Sequence, residues 1–556
     1  TAVEEPGPDA LARAEANLLR RITLDDGLGV QNPAFLRHPN GGAFGLDNIF
    51  RGGDLVANTV GVMGYDFDLY RVQPTAPAEY TSVNPRPVAP VEVGGSLRVA
   101  AMNTLNFFLS PDNIQEATNA PDNPADNICG PVPSLECRGW DGGQTLELPR
   151  QRAKLIQALA GLDADIIGLN ELENTINVDP LGDPTNGVVT GLNDLLGAGT
   201  YAYIDTGVIG SDAIRVAMIY KPARVTPVGD FAILNTAVDP RFLDTKNRPA
   251  LAQTFEEVAT GARFTVALNH FKSKGSDCED VGDFDTGDGQ GNCNITRTLA
   301  AQALVDWLAS DPTGSGDTDF LIMGDLNSYT REDPIDAILA GPDDTAGTAD
   351  DYTNLIFEYQ GPYAYSYTFD GQAGYLDHAL ASPSLAAQVS GAAEWHINSD
   401  ESDVLDYDTS FKPPAQEAIY APDAYRTSDH DPVVVGLNLL SFDWDGFFQP
   451  VDNLPTVNVA KAGSAVPIKF SLGGDYGLNI FMPGYPLSYR VACETGQTLD
   501  SIEETVTSGN SSLVYDASSG RYQYVWKTQK AYAGTCRTFS IVLIDGSVHT
   551  ALFRFK

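Results

Sequence analysis

The chain has 556 residues, 43% of them hydrophobic, which is more than one hydrophobic core usually serves and predicts two or three globular domains. Its formal net charge of -40, from 74 acidic against 34 basic residues, excludes a protein that coats nucleic acid through a broad basic surface. No uninterrupted apolar run approaches the roughly 18 residues of a membrane-spanning helix, so a soluble chain is expected, and a start at Thr1 without a signal-like segment is read as a leader removed or not included.

In chain order, the first 95 residues contain one expected helix, Ala10 to Arg20, and short strand-like runs punctuated by glycine, among them RITLDD from Arg21 and LVANTVGVMGYDF from Leu55. The proline-rich stretch Asn84 to Gly95 reads as a linker. From Leu97 to about Leu440, buried strand-like runs (LRVAAMN, DIIGLNE, RVAMIY, FTVALNH, FLIMGDLN) alternate with helical segments. Leu155, Leu159 and Leu162 give the segment after Pro149 one apolar face, and Ala300, Leu304 and Leu308 do the same after Arg297. Strands alternating with helices predict a layered α/β domain.

From Asp445 onward the charge balances, with nine acidic and nine basic residues, and the periodicity falls to two. Val466, Ile468, Phe470 and Leu472 alternate with polar neighbours, as do Tyr522, Tyr524 and Trp526, and Phe539, Ile541 and Leu543. An antiparallel β-sandwich of roughly 100 residues is expected there. The six cysteines fall as local couples, Cys129 with Cys137, Cys278 with Cys293 and Cys493 with Cys536. Local closure is the simplest of the 15 connectivities, and even pairing suits a secreted or periplasmic protein.

Several apolar strands run directly into a polar group. Leu97 to Met102 leads to Asn103, Ile166 to Leu169 leads to Asn170 and Glu171, and Phe264 to Leu268 leads to Asn269 and His270. Phe320 to Met323 runs into Gly324, Asp325, Leu326 and Asn327. Strand carboxyl ends are where open α/β folds place ligands. Each residue alone is more often a turn or cap, but their recurrence changes the odds. The segments YLDHALAS, with Asp377, and RTSDHDPVVVGL, with Ser428, Asp429, His430 and Asp431, complete the set. Only six histidines exist, and His270 and His430 both lie in such motifs, which points to phosphate or proton work. A phosphate loop of the GxxxxGK[ST] type and an HExxH motif are both absent from the sequence.

The ordered series LRVAAMNTLNFF, DIIGLNELEN, NHFKSKG, MGDLNSY, YLDH and SDHDPV resembles the endonuclease/exonuclease/phosphatase superfamily, in particular its large bacterial extracellular nucleases. The resemblance spans about Leu97 to Leu440. It implies a four-layer α/β/β/α sandwich of the deoxyribonuclease I type. It implies Glu171 as the principal Mg²⁺ or Mn²⁺ ligand, with Asn103 beside it and Asp429 as a further metal-site carboxylate. By the same resemblance Asp325 would orient or deprotonate the attacking water, and Asn327 would bind phosphate and help hold the metal. The resemblance further implies that His430, oriented by Asp377, acts as general acid/base or stabilises the phosphorane, while His270 and Arg248 contact phosphate. The residues fit phosphodiester cleavage on chemical grounds too, since it needs a nucleophilic water, charge relief for an oxyanion and help for the leaving alkoxide.

The tail, with Pro467, Ile468, Lys469 and Phe470, resembles the bacterial PxKF-type immunoglobulin-like module, for which surface or protein attachment is expected. The amino-terminal part resembles the end of an OB-like module. The expected division is thus 1–95, 96–440 and 445–556. Between Cys278 and Cys293, Asp283, Asp285 and Asp288 are a Ca²⁺ candidate, against the commoner reading of a disulfide-closed, solvated turn. The reading is a secreted, monomeric, metal-dependent nuclease acting on DNA or also RNA, with Lys272, Lys274, Arg248, Arg297 and Arg426 along its phosphate path. The alternatives are a phosphoesterase of the same superfamily acting on phospholipid or small phosphodiesters, and a non-catalytic adhesion protein.

Overall fold

A computed structural model of the protein describes residues 1–112, 128–493, 495, 497–499, 503–505 and 513–556. Twelve strands of the central part are labelled in chain order: β1 (Leu97–Phe107), β2 (Ile166–Glu173), β3 (Ala202–Tyr203), β4 (Ile214–Tyr220), β5 (Val225–Leu234), β6 (Arg248–Glu257), β7 (Arg263–His270), β8 (Phe320–Asp325), β9 (Thr353–Asn354), β10 (Asp377–Ala381), β11 (Val389–Glu394) and β12 (Val433–Leu437). They form two six-stranded sheets, one ordered β11-β12-β1-β2-β4-β3 and the other β5-β6-β7-β8-β10-β9. The central strands are buried almost throughout, which is why their sequences read as near-continuous apolar runs rather than alternating ones.

Three hydrophobic clusters explain the burial. One joins the sheets face to face, with Val99, Ile166 and Val433 from the first packed with Phe255, Leu268 and Met323 from the second. Gly168 on β2 marks how closely they approach, since a Cβ there would sit 2.5 Å from Leu268 Cδ1. The second cluster holds α1 (Glu147–Leu162) and α2 (Val188–Leu196) against the outer face of the first sheet through Leu155, Leu159, Leu162, Val188 and Leu192. The third holds α3 (Asn294–Ala309) and α4 (Asp333–Leu339) against the other sheet through Ala300, Leu304, Leu308, Ile335 and Ile338. Each fully buried leucine of these faces contributes about 1.5–3 kcal/mol. The expected helical faces at 155/159/162 and 300/304/308 are the buried ones. Pro149 lies in the first turn of α1, where a missing N–H costs nothing. Helix α3 begins at Asn294, ahead of the expected Arg297, because Cys293 is tied to Cys278 and Asp283 Oδ2 accepts from Thr296 N.

The amino-terminal helix is Pro8–Arg20, followed by the antiparallel pair Gly61–Asp66 and Leu69–Pro74. The proline-rich stretch after Asn84 lies packed on the central part. Val93 joins the second core cluster, Arg86 pairs with Glu401, and Pro87 O accepts from Trp395 Nε1. Beyond Asp445, a four-stranded and a five-stranded sheet enclose a cluster around Trp526, with Ile468, Phe470, Tyr522, Phe539 and Ile541 on the inner faces as the alternation predicts. The expectation of purely antiparallel pairing is corrected at one strand, for Val457–Ala460 runs parallel to Val548–Phe555. The three disulfides pair as expected, and among the described residues there is no free cysteine.

Candidate active site

Strand register brings the candidate residues to one end of the two sheets. In the first sheet, Asn103 on β1 lies opposite Asn170 on β2, and β12 starts at Val433 opposite Ala101, so Asp429 and His430 arrive beside them. In the second sheet, His270 pairs with both Arg248 and Asp325, and Asp325 pairs with Asp377. Gly324 makes the parallel β7–β8 contact possible: its φ is +117°, and a Cβ would lie 2.2 Å from Asn269 O.

The strands do not end where the polar residues begin; they bulge. The β1 register shifts between Asn103 and Phe107, where Leu105 and Asn106 take positive φ, and β2 shifts between Leu169 and Leu172 around Glu171 at φ +65°. The bulge removes Glu171 from the regular ladder and aims its carboxylate at the cleft. Glu171 Oε1 accepts from Asn103 Nδ2 at 3.1 Å and Oε2 from Asn106 N at 2.9 Å. Asn103 Nδ2 also reaches Asp325 Oδ2 at 3.3 Å, joining the two sheets. Asn170 makes a second bridge, donating to Asn269 O at 2.8 Å and accepting from Asp325 N at 3.4 Å. Asn327, itself at φ +48°, donates its backbone N–H to Asp325 Oδ1 and its side chain to Phe271 O.

His430 Nδ1 lies 2.7 Å from Asp377 Oδ2, with both side chains buried. Its Nε2 makes no hydrogen bond among the described residues. Burial opposes charge on this ring, yet the carboxylates of Asp377, Asp429 and Asp325 prevail and hold its pKa well above the ordinary value. His270 responds in the opposite direction. Burial, then Arg248 and His430, push it well below, so it is neutral. Its Nε2 sits 3.5 Å from Arg248 Nη1, 3.6 Å from Asp325 Oδ2 and 3.8 Å from Glu171 Oε1, while its buried Nδ1 has no partner. Burial, followed by the Asp429 charge, raises Glu171, and burial raises Asp325. Neighbouring groups with pKa values driven apart are a common feature of acid/base sites and also of buried ion-pair networks.

Asp325, Asp377 and His430 form the one set of three metal-capable side chains among the described residues whose ligand atoms lie within 4.8 Å of one another. Asp377 and His430 are committed to each other, so this set is better described as an Asp-His pair beside a carboxylate than as a ligand shell. Glu171 and Asp429 are different. Among the described residues neither has a Lys or Arg ion pair, and with the Asn103 amide they supply hard oxygen donors. These residues fit a divalent cation.

Other candidates are displaced from this cleft. Arg297 is fully buried and donates to Ser328 Oγ and to the carbonyls of Lys272, Asn292 and Gln290, so the expectation that it lines a phosphate path is corrected. Lys274 pairs with Glu332, and Arg426 with Asp403. Asp283 Oδ2 caps α3, while Asp285 and Asp288 accept from Gly287 N and Gln290 N in their own turns, so the three carboxylates do not converge on a shared point. Sequence reading missed Ser366, whose Oγ donates to Asp377 Oδ2 at 2.6 Å, and Tyr367, whose ring centroid is 4.6 Å from that of His430. It also missed Asp212, which holds Arg248 Nε at 3.0 Å and Arg138 at 3.2 Å. None of these three sits at the end of an apolar run, so no local signal marks them.

The model of a family described as Endonuclease/Exonuclease/phosphatase matches residues 127–430. The chain belongs to this family. The matched span takes in Glu171, Arg248, His270, Asp325, Asn327, Asp377, Asp429 and His430 and begins after Asn103. Membership places the chain among hydrolases of phosphoesters with a mixed α/β fold, a family whose members typically use divalent metals. Solved structures similar to it include the following two. An endonuclease/exonuclease/phosphatase family protein from Bacteroides thetaiotaomicron is 17% identical with a TM-score of 0.35, covering 61% of this chain and 93% of that one. The human Nocturnin catalytic domain with bound sulfate is 18% identical with a TM-score of 0.32, covering 53% and 88%. No curated protein matches. Among the described residues no helix is long and apolar enough to cross a membrane.

Proposed function

We propose that this member of the Endonuclease/Exonuclease/phosphatase family is an extracellular, divalent-metal-dependent phosphodiesterase that hydrolyses nucleic acid, with DNA as its main substrate. The observation that carries this reading is the buried Asp377–His430 pair facing Glu171, Asp325 and His270 across the junction of the two sheets. Three disulfides support an oxidising compartment.

Glu171, Asp429 and Asn103 would hold the ion. When bound, it supplies positive charge against phosphate oxygens where negative charge develops. Asp325, raised by burial, takes a proton from the attacking water, for which an elevated pKa is an advantage. His430 enters protonated and gives its Nε2 proton to the departing alkoxide, while Asp377 holds the ring in orientation through Nδ1. Neutral His270, Asn327 and Arg248 address the nonbridging phosphate oxygens. In this reading residues 96–440 are a four-layer α/β/β/α catalytic domain, 445–556 an immunoglobulin-like attachment domain, and 1–95 an OB-like remnant with its connector.

The test is cleavage of plasmid, linear DNA, RNA, sphingomyelin and bis(p-nitrophenyl) phosphate with Mg²⁺, Mn²⁺, Ca²⁺ or chelator. Metal-dependent cleavage of DNA, lost in His430→Ala and Asp325→Asn, is expected. Turnover of the lipid or the small ester without any nucleic acid would overturn the substrate assignment while leaving the chemistry standing.

A further inference from the structure

A second group of carboxylates lies away from the cleft, where the carboxy-terminal unit meets the strand that carries Asp325. The loop before β8 pairs with a turn of the five-stranded sheet: Asp317 bridges to Ser547, Thr318 N donates to Gly546 O at 3.0 Å, and Val548 N donates to Gly316 O. The connector between the units is pinned at the same place, with Phe442 N on Asp545 Oδ2 and Leu440 N on Gln388 Oε1. Gln388 in turn donates to Asp319 Oδ2 at 2.5 Å.

Asp319 is 1% exposed, and its other oxygen, Oδ1, is buried without any hydrogen-bond partner. It faces Asp317. Asp317 Oδ1 and Asp319 Oδ1 lie 2.2 and 2.6 Å from the point that a Cβ on Gly546 would occupy, so a glycine there leaves room for both and brings them within reach of a single ion with bonds of about 2.4 Å. Asp545 is buried beside them, and among the described residues no Lys or Arg forms an ion pair with Asp311, Asp317, Asp319 or Asp545. Without a counter-charge the arrangement is costly: burial first, then neighbouring carboxylates, hold Asp317 and Asp319 above the ordinary range.

A proton shared between Asp317 and Asp319 would relieve only part of this. The surrounding donors favour ionised carboxylates: Asp319 N on Asp317 Oδ1, Gln388 on Asp319, Ser547 N and Oγ on Asp545, and Ser315 N with Gly316 N on Asp311. A doubly charged ion with oxygen preference offsets that charge and retains waters for its remaining positions. We infer that Asp317 and Asp319, with Asp545 adding charge, form a binding site for a hard divalent cation of the Ca²⁺ type that fastens the carboxy-terminal unit to the catalytic part. The site is separate from the cleft around Glu171 and needs none of its residues.

The test uses the full chain stripped with chelator and titrated with Ca²⁺ by calorimetry. The Asp317→Asn, Asp319→Asn double variant is expected to lose one equivalent of bound Ca²⁺ per chain and the Ca²⁺-dependent rise in melting temperature, while cleavage with Mg²⁺ stays within about twofold. An Asp429→Asn chain is expected to retain that equivalent, which separates it from the cleft. Should the double variant fail to fold, chymotrypsin digestion of the wild-type connector at residues 438–446 decides, with cleavage slower in Ca²⁺ than in chelator. Unchanged Ca²⁺ stoichiometry in the variant overturns the inference. So does a connector whose protection ignores Ca²⁺ and increases only as pH falls, which would mean a shared proton.

Discussion

Replacing Asp377 by Asn removes one charge from the His430 pair while leaving its shape. The Nδ1···Oδ2 distance is 2.7 Å and the side chains are 8% and 3% exposed, so the contact is charge-assisted and shielded from water. An amide oxygen can still accept from Nδ1 and from Ser366 Oγ, but it no longer stabilises the imidazolium. A hydrogen bond to a charged group is worth about 1.5–3 kcal/mol, and breaking a buried pair outright costs about 3–5 kcal/mol. A loss of about 2–4 kcal/mol of transition-state stabilisation follows, or roughly 30- to 1,000-fold in rate at about 1.4 kcal/mol per decade. The assay is steady-state hydrolysis of bis(p-nitrophenyl) phosphate across pH, with circular dichroism to confirm folding. The kcat should fall by that factor with KM nearly unchanged. The alkaline limb should move to lower pH, because Asp377 is the largest of the groups that raise His430. A variant within threefold of wild type, or a loss confined to KM, would refute the assignment of His430 as the proton donor.

Glu171→Gln should raise the divalent-ion concentration for half-maximal activity at least tenfold, because it removes the carboxylate that Asn103 and Asn106 position; metal titration of activity checks this. Gly324→Ala should destabilise the chain by more than about 2 kcal/mol, as φ is +117° and the new Cβ would collide with Asn269 O; denaturant unfolding measures it. His396 provides a pH signature outside the cleft. Burial lowers its pKa, but Asp431, 2.9 Å away, outweighs this and leaves it raised above 6.5. The stability it contributes is therefore complete below pH 6.5 and is lost as pH rises through its folded value, so wild type and His396→Gln should differ most in acid and converge in alkali. Loss of the bridge closing residues 278–293, by Cys278→Ser with Cys293→Ser, should cost roughly 3 kcal/mol in thermal or chemical unfolding.

Periodicity and residue type were enough to read the buried helix faces at Leu155, Leu159 and Leu162, the two-residue alternation around Trp526, and the polar groups placed at the carboxyl ends of apolar runs. The disulfide couples were legible because each closes a local loop, the longest spanning 43 residues. These features depend on which side of an element meets water and on neighbours close in sequence, both of which a linear pattern records.

The tertiary structure decided what depends on strand register and on long-range partners. Ser366 reaches Asp377 only because the chain returns beside the start of β10, and Asp212 orients Arg248 from a loop that no motif marks. Arg297, a phosphate-path candidate by type, is fully buried because four backbone and side-chain acceptors surround its guanidinium. Glu171 points into the cleft through a bulge at φ +65° that its residue type does not foretell. Asp317 and Asp319 meet Gly546 more than 200 residues downstream, a pairing that no local pattern encodes. A sequence states the preference of each residue for water or for its near neighbours; which distant group satisfies a buried charge is settled only when sheets pair and pack.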